Sequence, residues 1–594
     1  MRHYTKSEIK EILERHSQAQ FSFSAEDRDF ALVNPSLDTF LRVLKSDTAE
    51  LKTQPDCVIP FSLFRRYEED GNRKEYEDMY FKRRQKLLAY SLHFWLYEDE
   101  DTLKHLCDVI WAISEEYTWS LPAHLMGRGL HTIQSDDTYT VDLFAAETAE
   151  ALSEALSLVK DRLPKIIIDR VHFEIERRVL SRAYAKIDEF FWHKTANNWS
   201  AVCAGSVGMT AMYEISDTER LAEIIEITLS TLENFYAGFS LDGACLEGIS
   251  YWNYGFGYFM SFADMLYKRT EGEINLFGDP HIKNIAFFYT KVFFKGARTV
   301  SFSDSATSGR CALAQLSILK RYYPDFEIPG ADYISFGYSG RGCARFALSL
   351  RDLVYTLPNL KTEKRDITGT YVLPYAEWYI SSSENGTGIA AKAGNNDEPH
   401  NHNDVGSFEI YKNGKQIIAD IGAGEYTRQY FEFPERYDIF CNSSASHSVP
   451  VINGEYQKAG SNYAAKDIHI TEKGICADIS GAYEVDTLEA LVRDISFDSV
   501  SGETLIKDTF VFSEKPVSVA ERFITSVQPT LLPDKVVIDN AGEIMSIYYE
   551  AEKVIPDYHV VVDKDHKALE RQTYVVDFNV KNSASSIELT FVIK

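Results

Sequence analysis

The spacing of apolar residues changes near residue 365, and this change constrains the fold more than any other feature of the sequence. Before it, apolar side chains recur every three or four residues, as in Leu103–Ile113 and Leu221–Leu232, which is the pattern of amphipathic helices. Short breaks separate these segments, so neighbouring helices should pair as antiparallel hairpins in a bundle or a toroid. Residues 1–360 are therefore predicted to form a helical domain.

After this point, short apolar runs follow one another in the manner of strands, as in Phe408–Tyr411 and Ile587–Ile593. Asn413 and Gly414 indicate a hairpin, because both central positions of a type I′ turn favour positive φ. Residues 361–594 are predicted to form an antiparallel β-sheet domain. The chain as a whole is thus expected to be an α+β protein of more than one domain.

Charge and composition limit the class of protein. The 594 residues contain 62 Lys and Arg against 89 Asp and Glu, a formal net charge of −27. Nucleic-acid binding needs a positive surface, so a general nucleic-acid binder is excluded. No run approaches the roughly 20 apolar residues of a membrane span, and the N-terminus lacks the apolar core of a signal peptide. Eight cysteines without a CxxC pair are typical of free thiols, so a cytoplasmic location is expected.

One polar segment of the β domain carries the clearest chemical signal. It spans residues 398–408 and holds His400 and His402 among asparagines and carboxylates. Its proline and asparagines predict a loop that leads into a strand at Val405–Tyr411, and loops of this kind often carry function.

Asp420 and His447 follow downstream and could join one of these histidines as metal ligands. Two imidazoles and one carboxylate are a suitable zinc set, with water in the fourth position. The alternative is a hydrogen-bonded loop without a metal. The long gaps between the candidate ligands leave both interpretations open.

Three further clusters lie in the helical half. Asn197, Asn198 and Trp199 place two amides beside an aromatic ring at a predicted helix start, where asparagine would also be an ordinary N-cap. A second segment contains Trp119 and His124, which could line the same groove or belong to a packed turn.

An aromatic band at residues 246–258 contains Tyr251 and Tyr254. Such bands more often belong to a core than to a cleft. The glycines within this band are unusual for a buried helix, because each costs about 1 kcal/mol relative to alanine.

Taken together, these residues resemble the heparinase II/III-like family of uronic-acid polysaccharide lyases. The elements that carry the resemblance are Asn197 to Trp199, Glu247 to Tyr254, Pro399 to Phe408, Asp420 and His447. Their order and approximate spacing agree with the family, and the helical-then-β organisation covers almost the whole chain. The stretch from His400 to Phe408 is the most specific of these elements. The resemblance implies an N-terminal incomplete (α/α) toroid followed by a C-terminal antiparallel β-sandwich, with the cleft between them.

The family's β-elimination chemistry explains the residue types. A base can remove the C5 proton of a uronate only when the neighbouring carboxylate is neutralised, which hydrogen-bond donors can do. The resemblance implies that Asn197, where some relatives have histidine, binds this carboxylate with help from Asn198. It also implies that Tyr251 protonates the departing O4. His400 would then be the base or a partner of the carboxylate, and in some relatives the tyrosine is also the base.

The resemblance also implies binding residues and a metal. The implied substrate-binding residues are Asn198, Trp199, Tyr254, His124, Trp119, Glu247 and Arg436. Tyr254 is in addition the alternative to Tyr251, and Lys194 and Arg128 are further basic residues expected near the cleft. His402, Asp420 and His447 match positions that hold a structural zinc in related lyases, and no organic cofactor is implied.

The expected partner is an anionic, uronate-containing oligosaccharide or polysaccharide, with a homodimer as one option for the assembly. Glycosaminoglycans such as heparan sulfate, hyaluronan or chondroitin are favoured over alginate, because the aromatic band is closer to the heparinase side of the family. The net charge predicts weak long-range attraction of polyanions and a preference for short or lightly charged chains. A cytoplasmic lyase would also meet oligosaccharides, which favours exo-action.

Two other functions stay open at this point. A glycoside hydrolase on a toroid scaffold would need two opposed carboxylates, for which Glu247 and Asp242 are the candidates. A non-catalytic carbohydrate-binding protein would need neither Tyr251 nor His400.

Overall fold

The computed structural model describes residues 1–55, 58–125, 135–338, 343–362 and 365–594. Cys57 and Arg128 lie outside these residues. The chain divides into two compact units, each assembled from three segments. The first unit comprises Met1–Gly238, Asn253–Lys283 and Cys311–Glu363, and the second comprises Phe239–Trp252, Asn284–Arg310 and Lys364–Lys594.

The division into units differs from the single predicted boundary after residue 360. Residues 239–252 and 284–310 were expected in the helical domain, whereas they pack within the second unit. The contacts are specific: a carboxylate oxygen of Asp242 accepts the backbone N–H of Tyr375 at 2.8 Å, and the Arg298 guanidinium donates to the carbonyl of Gly414 at 2.7 Å. These segments follow helical sequence, so local periodicity did not reveal their long-range partners.

The first unit is mainly helical, as the apolar periodicity predicts. Leu103–Ile113 and Leu221–Leu232 lie within the helices Glu100–Ser114 and Thr218–Ala237. The helices are Lys6–Arg15, Ala25–Val33, Asp38–Thr53, Phe61–Phe64, Arg66–Asp70, Lys74–Tyr97, Glu100–Ser114, Leu143–Val159, Lys165–Ile175, the π turn Glu176–Leu180, Ser181–Ala185, Asn198–Glu214, Thr218–Ala237, Gly257–Arg269, Leu313–Tyr322 and Phe346–Tyr355. Pro280–Phe288 begins in this unit and ends in the second.

Two features of the helices bear on the sequence predictions. Within the described ranges, no helix is both long enough and apolar enough to cross a membrane. The glycines of the aromatic band permit close packing, since a Cβ at Gly255 would lie 3.2 Å from the Cα of Asn198 and one at Gly257 would lie 3.1 Å from Leu348. This tight contact offsets the helix-propensity cost of glycine.

The second unit consists mainly of antiparallel sheets, with a short helix at Ile249–Tyr251. In spatial order, the five-stranded sheet is Lys415–Ile418, Phe408–Lys412, Thr387–Lys392, Trp378–Ser382 and Thr370–Leu373. The eight-stranded sheet is Lys466–Thr471, Gly474–Asp478, Leu488–Phe497, Thr504–Phe512, Ser586–Ile593, Glu543–Tyr549, Lys535–Asn540 and Thr530–Leu531. The four-stranded sheet is Val451–Ile452, Val519–Thr525, Glu570–Val580 and Val554–Lys564. Buried aromatic side chains, including Phe408, Phe523, Phe578 and Phe591, form one core with residues of all three sheets.

The predicted hairpin is confirmed. Asn413 and Gly414 have φ values of 45° and 78°, and they connect the paired strands Phe408–Lys412 and Lys415–Ile418. The first of these strands begins at Phe408, three residues later than expected. The delay is due to a turn in which the Ser407 N–H donates to the Asp404 carbonyl at 2.9 Å and Gly406 has a φ of 82°.

A buried carboxyl in the first unit predicts how the stability of that unit depends on pH. Asp352 accepts the backbone N–H of Ala314 at 2.6 Å, and burial raises its pKa from 3.8 to about 7. The folded chain thus favours the protonated form, so stability falls as the pH rises from 3.8 to about 7 and is level above that. The loss between pH 5 and pH 8 is expected to be roughly 3 kcal/mol.

Asp352→Asn keeps the size and the acceptor of the side chain and is expected to remove this loss. Urea unfolding of both proteins at pH 5 and pH 8 measures it. Asp29→Asn, at an exposed position of the same unit, should retain the wild-type dependence. An Asp352→Asn variant that loses as much stability as the wild type over this range would contradict the prediction.

Candidate active site and metal centre

A buried carboxylate, Asp304, is the centre of the candidate site in the second unit. Its Oδ2 lies 2.7 Å from Nδ1 of His400, and its Oδ1 lies 3.0 Å from Nε2 of His402. The hydroxyls of Tyr426 and Tyr430 donate to the same carboxylate, and Nη2 of Arg436 lies 3.4 Å from Oδ2. Two histidines, two phenols and one guanidinium thus converge on a single acid.

The charge of Asp304 is stabilised by these donors. Burial alone would favour the neutral acid, but the hydrogen bonds from His400 and His402 outweigh it and hold the pKa of Asp304 well below its usual range. A buried anion needs such partners, because an unpaired one costs several kcal/mol. Asp304 is therefore a fixed negative charge that orients both imidazoles.

Tyr251 and His400 are in direct contact. The tyrosine Oη lies 3.2 Å from Nδ1 of His400, and the two rings stack with centroids 4.2 Å apart. Tyr251 ends the short helix Ile249–Tyr251, directly before the π turn Trp252–Phe256. Single π turns are frequent at functional sites. Burial, together with the nearby Tyr426 and Asp304, raises the pKa of Tyr251 well above its ordinary value, so the phenol is protonated at neutral pH.

The contacts of His400 define the roles of its two nitrogens. Nδ1 is the nitrogen next to Asp304, so its N–H donates to that carboxylate, which leaves Nε2 as the basic nitrogen. Nε2 lies 3.6 Å from Oε1 of Glu247, and the imidazole retains 22% of its exposure. His400 also has a φ of 54°, a backbone conformation that non-glycine residues seldom adopt and that often occurs at functional sites.

Arg436 and Tyr426 support this arrangement. Nη2 of Arg436 donates to the carbonyl of Asn401 at 3.0 Å as well as to Asp304. The hydroxyl of Tyr426 lies 2.7 Å from that of Tyr251, which links Tyr251 to Asp304 through a second phenol. Arg436 was predicted to bind substrate, whereas its guanidinium is turned inward and holds the loop and Asp304.

The loop that carries His400 and His402 is also anchored by Lys392, on the neighbouring strand Thr387–Lys392. The Lys392 ammonium, which is fully buried, donates to Asp404 at 2.8 Å and to Glu398 at 3.2 Å. Burial opposes the charge on Lys392, but the two carboxylates outweigh it and raise the pKa of Lys392. Both ends of the His400 segment are therefore fixed to the strand Thr387–Lys392.

The three predicted metal ligands come together in the second unit. One ligand atom each from His402, Asp420 and His447 lies within 4.8 Å of the others, and all three side chains are buried. Nδ1 of His402 has no hydrogen-bond partner among the described residues, while Nδ1 of His447 and Oδ2 of Asp420 lie 3.3 Å apart as a buried ion pair. A buried nitrogen without a partner beside a buried imidazole and carboxylate is a donor set that fits a metal ion.

The remaining atom of each ligand is held by a neighbour. Nε2 of His402 contacts Asp304 at 3.0 Å, Nε2 of His447 contacts the Cys441 carbonyl at 3.0 Å, and Oδ1 of Asp420 accepts the Gly422 N–H at 2.9 Å. Metal-binding histidines commonly donate their other N–H to a carboxylate or carbonyl in this way. Asp304 therefore joins the metal set to His400.

We expect zinc to stabilise the second unit through this set. At a zinc concentration about 100 times the Kd, the gain is roughly 3 kcal/mol. Metal analysis of the purified chain should find about one ion per chain, and thermal unfolding should shift upward with added zinc. His447→Ala should lose both effects, while His469→Ala, on an exposed strand position of the same unit, should keep them. Equal zinc binding by the wild type and His447→Ala would contradict the assignment.

In the first unit, Asn197 is an N-cap, as one of the two interpretations predicts. Its Oδ1 accepts the Trp199 N–H at 3.1 Å at the start of the helix Asn198–Glu214. The amide nitrogen of Asn197 is not used by this cap. Asn198 is buried and only 3% exposed, so it is removed from the predicted substrate-binding residues. Trp199 is half-buried and packs against Phe191.

The other predicted binding residues of the first unit differ in accessibility. His124 lies 2.8 Å from Asp142 through Nδ1, and its ring centroid is 4.9 Å from that of Trp199. Trp119 is 1% exposed and donates its indole N–H to the Ile113 carbonyl, so it belongs to a packed turn and not to a binding surface.

The hydroxyl of Tyr254 donates to Glu147, and the Arg345 guanidinium lies 3.7 Å from the centre of the Tyr254 ring. Tyr254 is therefore held in place by contacts within the first unit, which is a structural role.

The sequence did not point to Asp304, Tyr426 or Tyr430. Asp304 lies in a serine-rich stretch, 96 residues before His400, and no periodicity or spacing links the two. Asp242, a candidate hydrolase carboxylate, accepts the backbone N–H groups of Tyr375 and Ala376 at 2.8 and 3.1 Å. It is therefore occupied in holding a turn.

The first unit is mainly helical, and the antiparallel second unit carries the Tyr251–His400–Asp304 cluster and the His402–Asp420–His447 set. Residues 369–511 match the family described as heparinase II/III-like, C-terminal. Over these residues, the match confirms the resemblance drawn from the sequence. No curated protein is similar enough in sequence to be matched.

Solved structures show the same architecture along nearly the whole chain. A heparinase III has 13% identity and a TM-score of 0.62, over 99% of this chain and 89% of its own. Heparan sulfate lyase HepC from Pedobacter heparinus has 14% identity and a TM-score of 0.58, over 98% and 92%. A chondroitin AC lyase mutant from Streptomyces coelicolor A3 has 9% identity and a TM-score of 0.51, over 98% and 82%. The predicted fold class, a helical toroid followed by an antiparallel β-sandwich, is confirmed.

Proposed function

We propose that this protein is a polysaccharide lyase that cleaves uronic-acid-containing glycans by β-elimination. The observation that carries the proposal is the contact of Tyr251 with His400, whose Nδ1 is held by the buried Asp304. This contact places a protonated phenol beside an imidazole of fixed orientation. β-Elimination needs these two groups, an acid for the leaving oxygen and a base for the C5 proton.

The proposed reaction conserves all atoms without added water. Nε2 of His400 takes the C5 proton, the electron pair forms the C4–C5 double bond, and the C4–O4 bond breaks. The Tyr251 hydroxyl gives its proton to the departing O4. One product then has a 4,5-unsaturated uronate at its non-reducing end, and the other has a new hydroxyl.

The raised pKa of Tyr251 supports the acid role, because the phenol keeps its proton until the leaving oxygen becomes basic. Its hydroxyl contacts that of Tyr426, which in turn donates to Asp304. The proton that Tyr251 loses is balanced by the one that His400 takes up, and exchange of both groups with solvent restores the starting state.

A bound zinc ion would neutralise Asp420 and stabilise the loop that presents His400. The reaction needs no metal-activated water, so the proposed role of the ion is structural. His402 connects this structural role to the Tyr251–His400–Asp304 cluster, since it contacts Asp304 and is itself one of the three candidate metal ligands.

Glycosaminoglycans are the proposed substrate class. The support is the match of residues 369–511 to the heparinase II/III-like family and the likeness to structures named for heparan sulfate and chondroitin cleavage. Incubation with heparan sulfate, hyaluronan, chondroitin and alginate, followed by ultraviolet absorbance of the unsaturated uronate, tests the proposal. Absorbance that stays at the baseline with every uronan would refute it.

One variant distinguishes a hydrolase from a lyase. Glu247→Gln should abolish turnover if Glu247 is one of two hydrolytic carboxylates, and it should retain elimination if His400 and Tyr251 do the chemistry. Asp242 is the second carboxylate of the predicted hydrolytic pair, and it is already engaged by two backbone N–H groups.

Asn197 provides a test of carboxylate neutralisation that stability does not confound. Asn197→Asp keeps an acceptor for the Trp199 N–H, because aspartate is as good an N-cap as asparagine, but it removes the amide donor and adds a negative charge. We expect kcat/KM to fall by about 10²-fold or more with unchanged thermal stability. Asn197→Ala should lower both activity and stability. An Asn197→Asp variant with wild-type kcat/KM would remove Asn197 from the proposed mechanism.

A further inference from the structure

A cluster of arginines lies on one side of a helix in the first unit. The helix Lys165–Ile175 continues into the π turn Glu176–Leu180, and the charged residues of this side are Arg170, Glu174, Arg177 and Arg178. Residues at these spacings share a helix face. The π turn carries Arg177 and Arg178, and π turns are frequent at functional sites.

The arginines share one carboxylate. Nε of Arg170 lies 2.9 Å from Oε1 of Glu174, Nε of Arg177 lies 2.8 Å from Oε2, and Arg178 pairs with Oε2 as well. The Glu174 side chain is fully buried. Three guanidinium groups thus surround a single buried negative charge.

The carboxylates near the arginine cluster do not cancel all of its positive charge. Glu116 is paired with Arg83 and Arg84, at 2.9 and 2.5 Å, so its charge is already compensated. Glu115 is the remaining carboxylate of the lining and is exposed. Burial lowers the pKa of Arg178 below its ordinary value despite the ion pair with Glu174, and the neighbouring Arg177 acts in the same direction.

These arginines line an open cavity of about 360 Å³. This volume falls within the roughly 300–1,000 Å³ of small-molecule sites. Arg170 and Arg177 retain 39% and 30% of their side-chain exposure, and Tyr117, which also lines the cavity, is 63% exposed. The cavity therefore offers accessible guanidinium groups beside an exposed aromatic ring.

We propose that this cavity is a second binding site for an anionic saccharide, with a sulfate or carboxylate group on Arg170 and Arg177 and a sugar ring against Tyr117. Guanidinium groups bind planar and tetrahedral oxyanions through paired hydrogen bonds. The ring of Tyr117 adds a face on which a sugar can pack. The inference rests on the proposed function for the class of ligand, and it does not depend on catalysis.

The test is calorimetric titration of the full chain with a sulfated unsaturated uronate disaccharide, its unsulfated counterpart and sodium sulfate. The disaccharide has no further uronate linkage to eliminate, so turnover does not disturb the measurement. Arg177→Ala is expected to weaken binding of the sulfated disaccharide by about ten- to hundredfold. Arg170→Ala, at the more exposed arginine, should weaken it as well and covers the case in which Arg177→Ala does not fold.

Arg162→Ala is the matched control, because Arg162 is an exposed arginine of the same unit that pairs with Glu100 outside the cavity. It should leave the affinity unchanged. Tyr117→Ala should weaken the disaccharide by about two- to tenfold and leave sodium sulfate unaffected. Sodium sulfate that binds as tightly as the disaccharide would overturn the saccharide assignment.

Wild-type affinity in both Arg177→Ala and Arg170→Ala would overturn the site. If the chain eliminates uronans but binds the sulfated disaccharide equally well without these arginines, this site is overturned and the proposed function is not. Arginine-dependent binding by a chain that eliminates no uronan would refute the proposed function and support the site.

Discussion

Replacing Tyr251 by phenylalanine is expected to lower kcat by about 10²–10⁴-fold, which is the usual contribution of a positioned general acid. The variant removes one oxygen, whose contacts are Tyr426 at 2.7 Å and His400 at 3.2 Å. The ring stacks on His400 in either case, so the shape of the site is kept. KM should change little, because the lost interaction forms only in the transition state.

Stability must be separated from catalysis in this experiment. Loss of the Tyr251 hydroxyl should cost about 1 kcal/mol, the usual net value of a hydrogen bond. Tyr483→Phe is the matched control, since Tyr483 is buried in the same unit and donates to the Pro450 carbonyl at 2.7 Å. It should lose similar stability and retain kcat. A Tyr251→Phe enzyme with most of the wild-type kcat would exclude Tyr251 as the acid.

Asp304→Asn is expected to affect stability, metal binding and catalysis together. The variant keeps the shape of the side chain but removes the negative charge that faces His400, His402 and Arg436. Breaking a buried charge network of this kind costs roughly 3–5 kcal/mol. Zinc affinity should fall by about 10–100-fold, because His402 loses the partner that orients it. The loss of the His400 partner should lower kcat by about 10²-fold or more.

Asp508→Asn separates these effects from general destabilisation. Asp508 is a buried carboxylate of the second unit that pairs with Arg493 at 2.7 Å. Its replacement should cost comparable stability, while zinc affinity and the kcat of the folded protein are retained. Urea unfolding, zinc titration and steady-state kinetics on both variants measure the difference. If Asp304→Asn retains zinc affinity and kcat as Asp508→Asn does, Asp304 has no role beyond folding.

The fold class could be predicted because it depends on local patterns that run along the chain. Helical periodicity and strand alternation are set by which faces are buried, so Leu221–Leu232 and Ile587–Ile593 were assigned correctly. The segments 239–252 and 284–310 were not placed in the second unit, since their contacts are with residues more than a hundred positions away, as between Arg298 and Gly414.

The candidate site was predictable where residue type limits the chemistry. His402, Asp420 and His447 are residue types that commonly bind metals, and the structure places their ligand atoms within 4.8 Å of one another. Asp304 was missed because an aspartate in a serine-rich loop has no distinctive pattern. For Trp119, the sequence left a groove and a packed turn open, because an aromatic residue in a turn looks the same in a core and in a cleft, and the structure shows it buried.

The mass balance of the reaction tests the central claim most directly. Mass spectra of the products from a defined uronate oligosaccharide distinguish elimination from hydrolysis, because elimination adds no water. We predict that the two product masses sum to the mass of the substrate and that one product carries the unsaturated uronate. Products whose masses sum to that of the substrate plus one water would contradict the account.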